Sequence, residues 1–121
     1  MLQTDNAAVR DVLDRYLEGV KTADVALLKS TFHEHASFYG DFGPDLIEAP
    51  IAGLYDWVSK LRPGATGAGH RLEVDEIDVA GNVALVRCWE LDFMGGNAKE
   101  FFILVRGAEG WKITNKSWAD I

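Results

Sequence analysis

The sequence has one cysteine, Cys88, and three prolines in 121 residues. No disulfide can form within the chain. A domain of this length buries about two-thirds of the surface of its unfolded chain, so it can build a core without covalent staples. A lone Cys inside an apolar run reads as a small core residue. Basic residues are also few. Twelve Lys and Arg stand against 19 Asp and Glu, giving a formal net charge of −7, and they are scattered singly. Such a chain repels polyanions, which argues against nucleic acid and anionic membrane surfaces as partners. No apolar run approaches the roughly 20 residues a membrane helix needs. The opening residues, MLQTDNAAVRDV, lack the basic start and apolar stretch of a secretory leader. With the single cysteine, this sets the expectation of a reducing, cytoplasmic location. Gly-rich phosphate loops, Cys-x-x-Cys pairs and Gly-x-Ser-x-Gly elbows are missing too. Kinase, dehydrogenase and serine-hydrolase chemistry therefore have no support, and no cofactor is expected.

What is present is a change of hydrophobic period partway along the chain. From Asn6 to Lys21, Val9, Val12, Leu13, Tyr16, Leu17 and Val20 recur at spacings of three and four, one face of a helix. Asp5 or Asn6 is placed to cap it, and Asp24 to cap a second helix carrying Leu27, Leu28 and Phe32. His33–Tyr39 reads as a short strand, the residues from Gly40 to Asp45 as a turn, and Leu46–Ala49 as a second short strand. Pro50 fits the first turn of a third helix presenting Ile51, Leu54, Tyr55, Val58 and Leu61. Four strands follow: His70–Val79, Val83–Met94, Lys99–Arg106 and Trp111–Trp118, the middle pair joined by the hairpin signal Gly95-Gly96-Asn97. Helices segregated from a bent, mostly antiparallel sheet make an α+β fold. Without a linker or repeat, residues 1–121 read as one domain.

The order of elements and several local segments resemble the nuclear transport factor 2-like superfamily. Those segments are Arg15-Tyr16-Leu17-Glu18-Gly19-Val20, Phe32-His33-Glu34-His35-Ala36-Ser37, and the closing hairpin Phe102–Arg106 with Gly110-Trp111-Lys112-Ile113. The nearest likeness is to the branch labelled as lumazine-binding, alongside the polyketide cyclase-like proteins. The resemblance implies three N-terminal helices on a strongly curved sheet that forms a cone with an internal pocket. It also implies a homodimer packed through the sheet's outer face. The superfamily holds ketosteroid isomerases, cyclases, dehydratases and pure binding domains, so the fold does not choose a reaction. Against the isomerase pattern, Tyr16 matches the family's Tyr. The place of the carboxylate base falls on Gly40, with Asp41 one residue late, and the third position falls on Ile103. That specific activity is not expected.

Candidate site residues follow from strand alternation. Leu85, Arg87, Trp89, Leu91 and Phe93 form the more apolar face of their strand and are assigned to the concave side. Val86, Cys88, Glu90, Asp92 and Met94 are assigned outward. On the closing strand the family alignment places Ile113, Asn115 and Ser117 inward. Lys112, Thr114, Lys116 and Trp118 then face out, with Trp118 suited to a dimer interface. The predicted ligand contacts are Tyr39, Trp57, Trp89 and Phe101 as walls, with Arg87 and Asn115 as orienting groups. The catalytic candidates are Tyr16 as donor with His33 or Asp41 as base. His33 and His35, two residues apart, share a strand face and could ligate a metal with Asp41 or Glu48. A solvated strand entry is the preferred account, and no metal is expected. His70 reads as exposed. Asn115-Lys116-Ser117 matches a glycosylation sequon, read as chance. The function expected is binding of a small apolar or aromatic molecule. The alternatives are an isomerase, cyclase or dehydratase, and a non-catalytic dimeric interaction domain.

Overall fold

The fold is that of a computed structural model, which describes residues 4–121. Three helices lie against one six-stranded curved sheet. Helix α1 (Asp5–Lys21) buries Val9, Val12, Leu13, Tyr16 and Val20 along the predicted stripe. Its cap is Thr4, whose Oγ1 accepts from the Ala7 N–H at 3.2 Å, rather than Asp5 or Asn6. Asp5 instead occupies the first turn, where its negative charge suits the helix dipole, and pairs with Arg106 at 2.6 Å. Helix α2 (Val25–Lys29) is capped by Asp24 through the Leu27 N–H at 3.0 Å. Pro50 ends a strand, and helix α3 (Ala52–Ser59) begins after Ile51.

The strands are β1 (Phe32–Phe42), β2 (Asp45–Pro50), β3 (Arg71–Ala80), β4 (Val83–Phe93), β5 (Gly96–Gly107) and β6 (Gly110–Asp120). They pair in the order β2-β1-β6-β5-β4-β3. Every neighbouring pair is antiparallel except β1 and β6, which run parallel. The core fills the space between α1 and the concave face. Tyr16 stacks edge-on against Phe32 and Phe102 at ring separations of 6.0 and 5.3 Å, a geometry aromatic rings prefer. Cys88 is buried there, and burial pushes its thiol well above the ordinary range.

The strand faces differ from those the sequence predicts, for two reasons. On β4 the buried residues are Ala84, Val86, Cys88 and Glu90, so Leu85, Arg87, Trp89 and Leu91 face outward. Counting apolar residues misleads there, because the inner face holds the smaller Ala84, Val86 and Cys88. The bulkier set covers neighbours on the convex side, where Trp89 lies under Lys99 at 5.0 Å. The second reason is bulges, since one extra residue reverses the alternation beyond it. Glu90 pairs with Ala98 but Phe93 with Gly96, so β4 carries one extra residue there, with Asp92 at φ 52°. Phe93 is thereby turned inward after all. On β6, Leu104 pairs with Ile113 and Ile103 with Asn115, so Thr114 is the extra residue. Beyond it Lys116 and Trp118 turn inward, while Asn115 and Ser117 turn out.

Candidate functional site

A cavity of about 820 Å³ occupies the wide end of the cone. Phe38 from β1, Trp57 from α3, Phe93 from β4 and Trp118 from β6 form its aromatic walls. Trp118 stacks nearly parallel on Phe38, with ring centroids 5.8 Å apart and planes 17° from parallel. Its indole N–H donates to the Asp41 carbonyl at 2.9 Å. Gly40 makes this possible: a Cβ there would meet the indole at 2.1 Å. The rim includes Phe42, Met94 and Ile121, all more than half exposed.

The floor is polar and buried. Glu90 and Glu100 sit on adjacent strands and face the same side. Cys88 pairs with Glu100 across the ladder, which makes the two carboxyls diagonal neighbours. Glu90 Oε1 accepts from His70 Nε2 at 2.7 Å. The Tyr16 hydroxyl donates to the Glu90 carboxylate at 3.3 and 3.4 Å. Burial, and next the positive charge of Lys21, push His70 down to about 4. The imidazole is therefore neutral at neutral pH. In the tautomer that gives its Nε2–H to Glu90, its Nδ1 accepts from the Thr66 hydroxyl at 2.8 Å. Lys116 Nζ donates to Glu100 Oε1 at 3.0 Å and lies 4.0 Å above the Trp118 ring. Burial drives Glu100 well above the ordinary carboxyl range; Lys116 opposes this and Glu90 adds to it. Burial also raises Tyr16, with the charges of Glu90 and Glu100 next, so its hydroxyl keeps its proton. Glu100 Oε2 is buried and has no hydrogen-bond partner among the described residues.

The predicted site residues divide between this cavity and other surfaces. Tyr16, Asp41 and Trp57 line it. Gly40 faces the Trp118 ring, while Asp41 sits beside it, its Oδ2 accepting from the Asp120 N–H at 3.0 Å. His33 is not among the lining residues; its Nδ1 accepts from the His35 N–H at 3.1 Å. Arg87 points outward and pairs with Glu76. Trp89 and Phe101 lie on the outer face, and Tyr39 is 42% exposed on the outer side of β1. Asn115 accepts from the Ser117 hydroxyl at 2.8 Å on that same side. His70, expected to be exposed, is 1% exposed. Among the described residues no three His, Cys, Asp or Glu side chains are grouped to hold a metal.

Glu90, Glu100, Lys116 and Trp118 are the floor and wall residues that the sequence reading misplaced or passed over, together with His70 behind Glu90. A signal for the carboxyls was present. Glu90 interrupts an apolar strand between Trp89 and Leu91, Glu100 borders the apolar run of β5, and a charge embedded in such a run needs a partner. Lys116 was hidden by the bulge at Thr114.

A curved α+β cone with an apolar chamber and a buried polar floor defines the nuclear transport factor 2-like class of proteins. Residues 4–119 match the model of the family described as "Putative lumazine-binding". The chain belongs to that family. No curated protein matches it. Among solved structures it is similar to a nuclear transport factor 2-like protein of unknown function from Shewanella baltica OS155. That match has 26% identity over 99% of this chain and 98% of the other, with a TM-score of 0.85. A nuclear transport factor 2-like protein of unknown function from Methylobacillus flagellatus KT is 24% identical over 99% and 95%, with a TM-score of 0.86. A ketosteroid isomerase-like protein from Erwinia carotovora atroseptica is 17% identical over 99% and 98%, with a TM-score of 0.73. The last two likenesses concern the fold alone.

Proposed function

We propose that the chain is a binding protein for a small, largely apolar aromatic molecule held in the cone. The observation that carries this reading is an 820 Å³ chamber walled by four aromatic rings. Chambers of this size with apolar walls and a few converging polar groups are the usual form of small-molecule sites. Tyr16, Trp57 and Asp41 serve as contacts, joined by Trp118 and the carboxyl floor. The domain acts as one unit in the cytoplasm, as a homodimer through the outer face of the sheet, where Tyr39, Phe101 and Val83 are exposed. The test is titration of 2-naphthol against the protein's tryptophan fluorescence. Wild type is expected to bind, and Ala98→Phe, which fills the chamber, to lose binding. Undiminished binding by Ala98→Phe would put the ligand elsewhere.

A second reading, proton transfer on a bound carbonyl compound, is favoured by the side-by-side carboxyls of Glu90 and Glu100 next to the Tyr16 hydroxyl. Glu90 takes the place of His33 or Asp41 as base, because it alone is both buried and fixed by two donors. Incubation with 2-tetralone in D2O tests it. Protein-dependent exchange of the α-protons, lost in Glu90→Gln, supports the reading. Exchange at the buffer rate removes it.

A further inference from the structure

The cavity carries an imbalance of charge that the apolar reading does not use. Four carboxyl groups line it, those of Asp41, Glu90, Glu100 and Asp120, against one ammonium, Lys116. Lys116 is already committed to Glu100 Oε1 and to the face of Trp118. Beside it, Glu100 Oε2 is buried without a partner among the described residues, and its neighbour Glu90 is an acceptor already held by His70 and Tyr16. Two carboxylates cannot satisfy one another, since each only accepts. The pair needs a hydrogen-bond donor, whether a bound proton, a water or an N–H brought by a ligand.

We propose that the ligand is an aliphatic amine carried on a planar aromatic ring, bound as its ammonium with the nitrogen seated against Glu100 Oε2 and the Glu90 carboxylate. This rests on the pocket reading above and names its ligand class. In the empty cavity one proton on the carboxyl pair, with Lys116, leaves the floor electrically neutral. On binding, that proton leaves to solvent and the ammonium takes its place, so the floor is neutral again. No bond other than these hydrogen bonds is made or broken. A buried group must be neutralised in this way because an uncompensated charge in a low-dielectric site is costly. The aromatic walls receive the ring of the ligand, and the net charge of −7 attracts cations to the protein as a whole. An anionic ligand would have to displace Glu100 from Lys116 and approach four carboxyls.

Three matched probes test this at pH 7.5 by calorimetry: 1-naphthylmethylamine, 1-naphthylmethanol and 1-naphthylacetate. The amine is expected to bind at least about tenfold more tightly than the alcohol, the usual gain of a hydrogen bond between charged groups over a neutral one, and the acetate to bind most weakly. Close to one proton should be released per amine bound, read from buffers of different ionisation heat. Glu100→Gln should bring the amine down to the level of the alcohol and abolish proton release. Should Glu100→Gln lose the alcohol through misfolding, Glu90→Gln is read the same way. Equal affinities for amine and alcohol, or the acetate binding most tightly, would overturn the ligand class and leave the pocket standing. Binding of none of the three would instead overturn the pocket reading itself.

Discussion

Replacing Gly40 with alanine should collapse the wall of the chamber from behind. The new Cβ would lie 2.1, 2.2 and 2.4 Å from three atoms of the Trp118 indole. Non-bonded carbons settle at about 3.5–4.0 Å, so the ring must retreat by more than an ångström. It has little freedom to do so. Phe38 lies stacked against it, Lys116 sits over its face, and its N–H is tied to the Asp41 carbonyl. Overpacking of this kind costs about 1–3 kcal/mol, and losing the indole hydrogen bond adds about 1 kcal/mol. The expected loss is thus about 2–4 kcal/mol, close to 8–15 °C in Tm for a domain of this length. Urea unfolding followed by far-ultraviolet circular dichroism measures it independently of tryptophan emission, which should itself shift as Trp118 moves. Gly107→Ala is the control. It has open space around its added methyl and should stay within about 0.5 kcal/mol of wild type. A Gly40→Ala protein as stable as that control, with unchanged emission, would refute the close approach of Gly40 and Trp118.

Two further outcomes follow from the site. His70 is held down to about 4 against 6.5 when free, so the unfolded chain binds the extra proton between those values. Its contribution is fully present above pH 6.5 and falls away as pH drops towards 4, by about 2–3 kcal/mol between pH 7 and 4.5. His70→Asn lacks that titration and should lose correspondingly less over the same interval in urea midpoints; parallel curves for the two proteins would show the imidazolium to be paired with Glu90. Arg87→Ala and Trp89→Ala alter only the convex face. They should leave 2-naphthol affinity within about twofold, and a tenfold loss in either would mean that this face contributes to the site.

The helices and the succession of strands were legible because each rests on a period or a turn signal. Val9, Val12, Leu13 and Tyr16 announce α1, and the turn residues around Gly81 and Gly95 separate the strands. The lining residues were less legible because alternation is only as good as its phase. Thr114 and the extra residue before Phe93 each reset that phase, and neither has a side chain that announces a bulge. On β4 the error had another source. Counting apolar residues favours Trp89 and Leu91, whereas the buried face is built from the smaller Ala84, Val86 and Cys88. Tyr16 was found because it lies in the apolar stripe of α1 and matches the family's Tyr, whereas Trp57 lay outside the stripe assigned to its helix.

The parallel seam between β1 and β6 has a consequence for the order in which the chain assembles. Strands β3 to β6 are joined by short turns and can zip together from local contacts. By contrast, Ser37 must find Asn115 and Tyr39 must find Ser117 at a sequence separation of 78. Pairings separated that far along the chain form late, because the entropy of closing the loop is spent before the contact rewards it. Strands β1 and β2, which carry Phe38, Asp41 and the rim, are therefore the last part of the barrel wall to close. The last seam of the sheet to close and the side wall of the chamber are the same line. Transient parting along it would admit a bulky guest while the four-stranded meander stays intact, and amide hydrogens of β1 should exchange ahead of those of β4 and β5.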